Sequence, residues 1–131
     1  MIFVDTSGWF AGIVSTDSDH IAAKKWFALN RQRLVTTDYV IDETLTLFRA
    51  RGEHVRAISI AQRFFEGELT EILFLTEDDI KRTLQLFISF ADKDWSFTDC
   101  SSKYICEKFG ITHALSFDKH FRQFGAITVV P

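Results

Sequence analysis

Ile2-Phe3-Val4-Asp5-Thr6-Ser7-Gly8 sets three apolar residues against an acid and then a run of small polar ones. A short unbroken apolar run of this kind is the pattern of a parallel strand covered on both faces, here stopped by Asp5 at a polar edge. Similar short runs recur at Leu34-Val35, Ile72 to Leu75, Ala114-Leu115-Ser116-Phe117 and Ile127 to Val130. Helical patterns lie between them. Asp17, Ser18 or Asp19 can cap a helix with Ile21, Ala22, Trp26 and Leu29 on one side. Thr37 or Asp38 starts a second, with Val40, Ile41, Leu45, Leu47 and Phe48 inward and Gly52 at its end. Val55, Ile58, Ala61 and Phe65 predict a third, ending at Gly67. Thr76-Glu77-Asp78-Asp79 opens a fourth, with the stripe Ile80, Leu84, Phe87, Ile88 and Ala91. After a loop from Asp92 to Phe97, Thr98 caps a fifth that runs to Gly110. Strands separated by helices need crossover connections, so we expect an α/β fold: a three-layer α/β/α arrangement around a mainly parallel, about five-stranded sheet.

The chain has 131 residues, the usual size of one domain, and we read residues 1–131 as a single unit. Hydrophobic residues make up 47% and charged ones 25%, with six glycines and one proline, which excludes disorder and low-complexity classes. Lys and Arg number 15 against 18 Asp and Glu, a net charge of −3, so a nucleic-acid partner would have to meet a local basic patch. Two cysteines, Cys100 and Cys106, cannot form a secreted disulfide framework and read as free thiols. No apolar run reaches the length of a membrane span, and the expected location is cytoplasmic, with no membrane partner.

Four acids stand at borders between apolar and polar faces. Asp5 and Asp118 follow strand patterns, in sheets whose ligands gather beyond the carboxyl ends of strands. Glu43 lies about 60° from Val40 and about 40° from Leu47 around its helix, on the flank of the apolar stripe. Asp99 falls in the first turn of its helix. Each has a plain structural explanation alone: Asp5 and Asp118 as caps, Glu43 as a surface residue, Asp99 as helix-terminus stabilisation. Together they would repel one another unless a cation intervened, and oxygen-only donors suit Mg²⁺ or Mn²⁺. Such a set is the outline of a phosphodiester-cleaving centre.

In order along the chain, Asp5-Thr6-Ser7, Val40-Ile41-Asp42-Glu43-Thr44, Ser96-Phe97-Thr98-Asp99 and Leu115-Ser116-Phe117-Asp118-Lys119-His120-Phe121 resemble the four motifs of the PIN-domain nucleases, and among them the VapC-type toxins of toxin–antitoxin pairs. The resemblance covers nearly the whole chain. It implies a metal-dependent endoribonuclease with Asp5, Glu43, Asp99 and Asp118 as catalytic metal ligands and Thr6 and Thr98 as supporting hydroxyls. It also implies an RNA substrate, a homodimer and a small cognate antitoxin.

Other residues add less. His20, His54, His113 and His120 show no paired spacing for zinc, and His120 reads as a surface helix residue. Asp94 reads as an exposed loop acid. Arg49, Arg51, Lys103, Lys119 and Arg122 lie near the acidic motifs in sequence and are candidates for phosphate contacts, though each serves equally as a solubilising charge. Trp9, Trp26 and Trp95 fit core packing better than base stacking. Two other functions remain open. A receiver-like domain accepting phosphate on an Asp would want an acidic pair near the first strand and a Lys at a late strand end, of which Lys119 offers half. A catalytically silent RNA-binding module would bind without cutting.

Overall fold

The computed structural model describes residues 1–131. In chain order the elements are β1 (Ile2–Val4), α1 (Thr6–Ile13), α2 (His20–Leu29), β2 (Leu34–Thr37), α3 (Asp38–Ala50), α4 (His54–Phe65), β3 (Glu71–Leu73), α5 (Glu77–Ser89), α6 (Phe97–Phe109), β4 (His113–Leu115), α7 (Lys119–Arg122) and β5 (Thr128–Val130). The five strands form one sheet in the order β3-β2-β1-β4-β5, and every pairing is parallel. The α/β class and the five strands are as expected from sequence.

β1 is central, and the chain winds outward from it first through β2 to β3 and then, after a long return, through β4 to β5. Right-handed crossovers put α1 to α4 on one face and α5 to α7 on the other. The reversal between β1 and β4 opens a crevice at their carboxyl ends, where this class of sheet binds ligands. Phe3, Val4, Val35, Ala114 and Leu115 are fully buried, as strands sandwiched between helix layers require.

Four expectations change. Thr6–Ile13 forms a helix that the sequence pattern did not predict, because Gly8 and Gly12 lower its intrinsic propensity. Both glycines serve packing. A Cβ on Gly8 would lie 2.8 Å from the Leu115 carbonyl oxygen, and one on Gly12 would lie 2.5 Å from the Phe27 ring, so α1 sits close on β4 and α2. Gly8→Ala is therefore expected to destabilise the protein by about 1–3 kcal/mol, since backbone and not a flexible side chain must give way, and thermal unfolding measures it.

Second, α6 begins at Phe97 and is capped by Ser96, two residues before the expected cap Thr98. Third, the predicted stripe on α4 faces outward. Val55, Ile58 and Phe65 are exposed, and Ala57, Ile60 and Phe64 are buried instead. Both series fit helical spacing, and only packing against Trp9 and the sheet selects the inner one. Fourth, Ile21 and Leu29 of α2, and Leu84, Phe87 and Ile88 of α5, are exposed as well; α5 instead covers Asp79 and Thr83. Asp79 closes a capping box with Thr76 and takes a hydrogen bond from Lys108 of α6 at 2.8 Å, tying α5 to α6.

Candidate active site

Three of the four acids arrive at the crevice on helix starts. Asp5 is the N-cap of α1, Asp99 occupies the third position of α6, and Asp118 is the N-cap of α7. The partial positive charge of α1 and α6 at these ends favours anions, which lets carboxylates gather without a cationic side chain. Glu43 comes from the middle of α3 and is half-buried. Asp5, Thr6, Glu43, Thr98, Asp99 and Asp118 all line one cavity of about 210 Å³, so all six residues singled out from sequence meet there.

The hydrogen bonds explain the arrangement. Asp5 Oδ1 accepts from Ser7 Oγ at 2.7 Å and from the Gly8 N–H at 2.9 Å, while Oδ2 accepts from Ser116 Oγ at 2.7 Å. Ser116 Oγ in turn accepts the Asp118 N–H at 3.1 Å, and Ser7 Oγ accepts the Phe117 N–H at 2.8 Å. Two serines thus lace the β1–α1 turn to the β4–α7 turn and fix Asp5 beside Asp118. Thr6 is buried, with the Thr44 hydroxyl 3.4 Å from its own. Thr98 offers its carbonyl to Ser101 Oγ at 2.7 Å.

Electrostatics mark the site as anionic and uncompensated. Burial pushes the Asp5 carboxyl up to about 7; its bonds from Ser7, Gly8 and Ser116 work the other way, and the charge of Asp118 adds to the rise. Glu43 is raised too, first by burial and then by Asp99, Asp118 and Asp42, against the pull of the Thr6 hydroxyl. No Lys or Arg lines the cavity. A donor set made of carboxylate and hydroxyl oxygens, with Asp5 buried enough to hold a proton near neutrality, fits a hard divalent cation. It does not fit a receiver-like pocket, which needs a lysine: Lys119 is exposed and outside the cavity.

His120 was not expected here. Its ring Nδ1 lies 2.9 Å from Asp99 Oδ2, and Asp99, Asp118 and His120 stand close enough together that they could hold a metal ion. The signal available in the sequence was its place two residues after a capping Asp, where a backbone N–H returns to the acid. Ser7 and Ser116 were missed likewise, although each sits two residues from one of the acids. Lys103 is corrected: it is buried, bonded to Glu107 and to the Phe124 carbonyl, and cannot reach a phosphate at the cavity. Arg49, Arg51, Lys119 and Arg122 remain exposed, and Asp94 is exposed as expected. Trp9 and Trp95 are core residues, with indole N–H groups directed at Thr36 and Gln123. Cys100 and Cys106 are free and buried, and burial pushes the Cys106 thiol up to about 12, so neither is a nucleophile.

Comparison with known proteins finds relatives along the whole chain. The chain is 31% identical over 131 residues to the 23S rRNA-specific endonuclease VapC20 of Mycobacterium tuberculosis, covering 100% of this chain and 99% of that protein. It is 29% identical over 104 residues to a VapC ribonuclease of Archaeoglobus fulgidus, covering 78% of this chain and 61% of that one. The crystal structure of M. tuberculosis VapC20, described as a sarcin–ricin loop cleaving toxin, superimposes with a TM-score of 0.91 at 30% identity over 100% of both chains. Residues 2–127 match the PIN domain as a family, and the chain belongs to that family as a VapC-type member.

Proposed function

We propose that this chain is a divalent-metal-dependent endoribonuclease, the toxin of a toxin–antitoxin pair, with Asp5, Glu43, Asp99 and Asp118 as its metal ligands. The observation that carries the reading is the convergence of four carboxylates, with no lysine or arginine among them, on one cavity at the switch point of the sheet. A bound Mg²⁺ or Mn²⁺ would supply Lewis-acid stabilisation of a phosphoryl oxygen and a more acidic water for attack on phosphorus. The chain's own residues do the rest. Asp5 is held rigid by Ser7, Gly8 and Ser116, so little reorganisation is needed at the moment of reaction. Thr6 and Thr98 stand at the cavity wall as hydroxyl donors for a phosphate or a water. The exposed cations Arg49, Lys119 and Arg122 offset the repulsion between an acidic cavity and an RNA backbone.

Likeness to VapC20 makes 23S rRNA, at the sarcin–ricin loop, the substrate to test first. Antitoxin binding is supported by a groove of about 250 Å³ between α3 and α4, with Leu45, Ala57, Ile58 and Ala61 in its walls. An amphipathic partner segment carrying an Arg towards the carboxylates would fit there. The exposed Leu84, Phe87 and Ile88 of α5 support a homodimer through that helix. No helix is long and apolar enough to cross a membrane; the proposed RNA substrate is what supports a cytoplasmic location.

The test is incubation of the purified protein with ribosomes and with total RNA, with Mg²⁺, with Mn²⁺ and with excess EDTA, followed by mapping of new ends. Discrete new 23S rRNA ends that appear with metal and vanish with EDTA are expected. RNA retention without new ends would favour a silent binding module, and cleavage surviving EDTA would place the activity outside this site.

A further inference from the structure

Asp99 and Asp118 come from different elements, yet one residue holds both. The His120 backbone N–H donates to Asp118 Oδ1 at 2.9 Å, and its ring Nδ1 stands 2.9 Å from Asp99 Oδ2 and 3.6 Å from Asp118 Oδ1. The His120 side chain is only 17% exposed, so this is a packed contact and not a surface encounter. Carboxylate oxygens only accept, so the ring nitrogen that faces them carries the hydrogen and donates it. Asp99 Oδ2 also accepts the Ser96 N–H at 3.0 Å, which closes the capping box of α6. Two donors therefore occupy the two lone pairs of one oxygen. Asp99 Oδ1 is left without a protein donor, on a carboxylate that lines the cavity. Asp118 is arranged the same way, with Oδ1 engaged by the His120 N–H and Oδ2 free.

We propose that His120 is a positioning residue. It acts through Asp99: the Nδ1–H, together with the Ser96 N–H, fixes the carboxylate plane so that Oδ1 is presented to a divalent ion, and its backbone N–H does the same for Asp118. Removing the imidazole leaves Asp99 held by one hydrogen bond instead of two, free to turn about its terminal torsion. Partners of this kind behind a ligand commonly change metal affinity 10- to 100-fold, by about that factor for each one lost. The inference rests on the metal-dependent reading above.

The experiment exploits the two nitrogens. In Asn the side-chain N–H₂ branches from the same carbon as His Nδ1, whereas Gln reaches the place of Nε2. Mn²⁺ is titrated into the full-length, metal-stripped protein and followed by electron paramagnetic resonance, for wild type, His120→Ala, His120→Asn, His120→Gln and Asp5→Asn, with thermal unfolding of each measured without metal. Expected results are a roughly 10- to 100-fold weaker Mn²⁺ affinity for His120→Ala, recovery of most of it in His120→Asn, and none in His120→Gln. The Asn and Gln variants decide the matter even if the Ala variant folds poorly. Unchanged affinity in His120→Ala, or recovery by Gln and not Asn, overturns the positioning role. Should Asp5→Asn lose Mn²⁺ while His120→Ala keeps it, this inference falls and the metal site stands; should wild type bind no Mn²⁺, both fall.

Discussion

Asp5→Asn is expected to lower the rate of RNA cleavage at least about 100-fold while the protein stays folded. Partners that merely orient a metal ligand are worth up to about 100-fold, and a directly bound carboxylate is worth no less. The amide keeps the shape of the side chain. Its oxygen can still accept from Ser7 Oγ and the Gly8 N–H, so the α1 cap survives, and the Ser116 hydroxyl can turn to accept from the new amide N–H₂. Loss of activity therefore reports on the charge and not on the fold. Without metal the variant should be more stable than wild type near pH 8, by on the order of 1 kcal/mol or more, because a buried anion beside Asp118 has been removed. Paired cleavage assays and denaturant unfolding at that pH check both halves. Cleavage at the wild-type rate would show that Asp5 does not serve the reaction.

The second large effect is on stability against pH. Asp5 titrates near 7 in the fold and near its ordinary value of 3.8 when unfolded, chiefly because of burial. Its folded form binds a proton more tightly, so its contribution to stability is complete below about pH 4 and is lost as pH rises through 7. The difference of about three units corresponds to on the order of 4 kcal/mol. Glu43 is raised as well and adds in the same direction. Asp79 has the opposite sign: burial alone would raise it, but the bonds from Lys108 and Thr76 outweigh burial and hold it low, so its contribution is present above its unfolded value and lost in stronger acid. Metal-free protein should therefore be most stable in mild acid and weaken between about pH 4 and 7. Unfolding midpoints across that range, with EDTA and then with millimolar Mg²⁺, test it. If the proposed site holds metal, Mg²⁺ should lift the alkaline limb, because a cation bound there would favour the ionised folded state, and Asp5→Asn should flatten the metal-free curve.

Strand and helix alternation, the parallel sheet and the four acids were all legible in the amino-acid sequence, because they rest on short-range chemistry: apolar runs of strand length, caps such as Thr37 and Thr76, and stops such as Gly52 and Gly110. The acids could be singled out because each sits where a local pattern ends. Which face of a helix turns inward was a different matter. In α4 the series Val55, Ile58 and Phe65 and the series Ala57, Ile60 and Phe64 satisfy the same 3.6-residue period, and only contacts from Trp9 and the sheet decide between them. Helix α1 depended on tertiary structure too, since its glycines are costly locally and pay only where β4 and α2 approach within contact distance. His120 lies 21 residues from Asp99, and no periodicity links a helix start to a separate N-cap. The sequence by itself determined the strands, the longer helices from α2 onward and which acids sit at element borders, because local spacing and capping encode those. The tertiary structure decided which apolar faces are buried and which serine and histidine donors hold the acids, because those depend on distances between elements far apart in the chain.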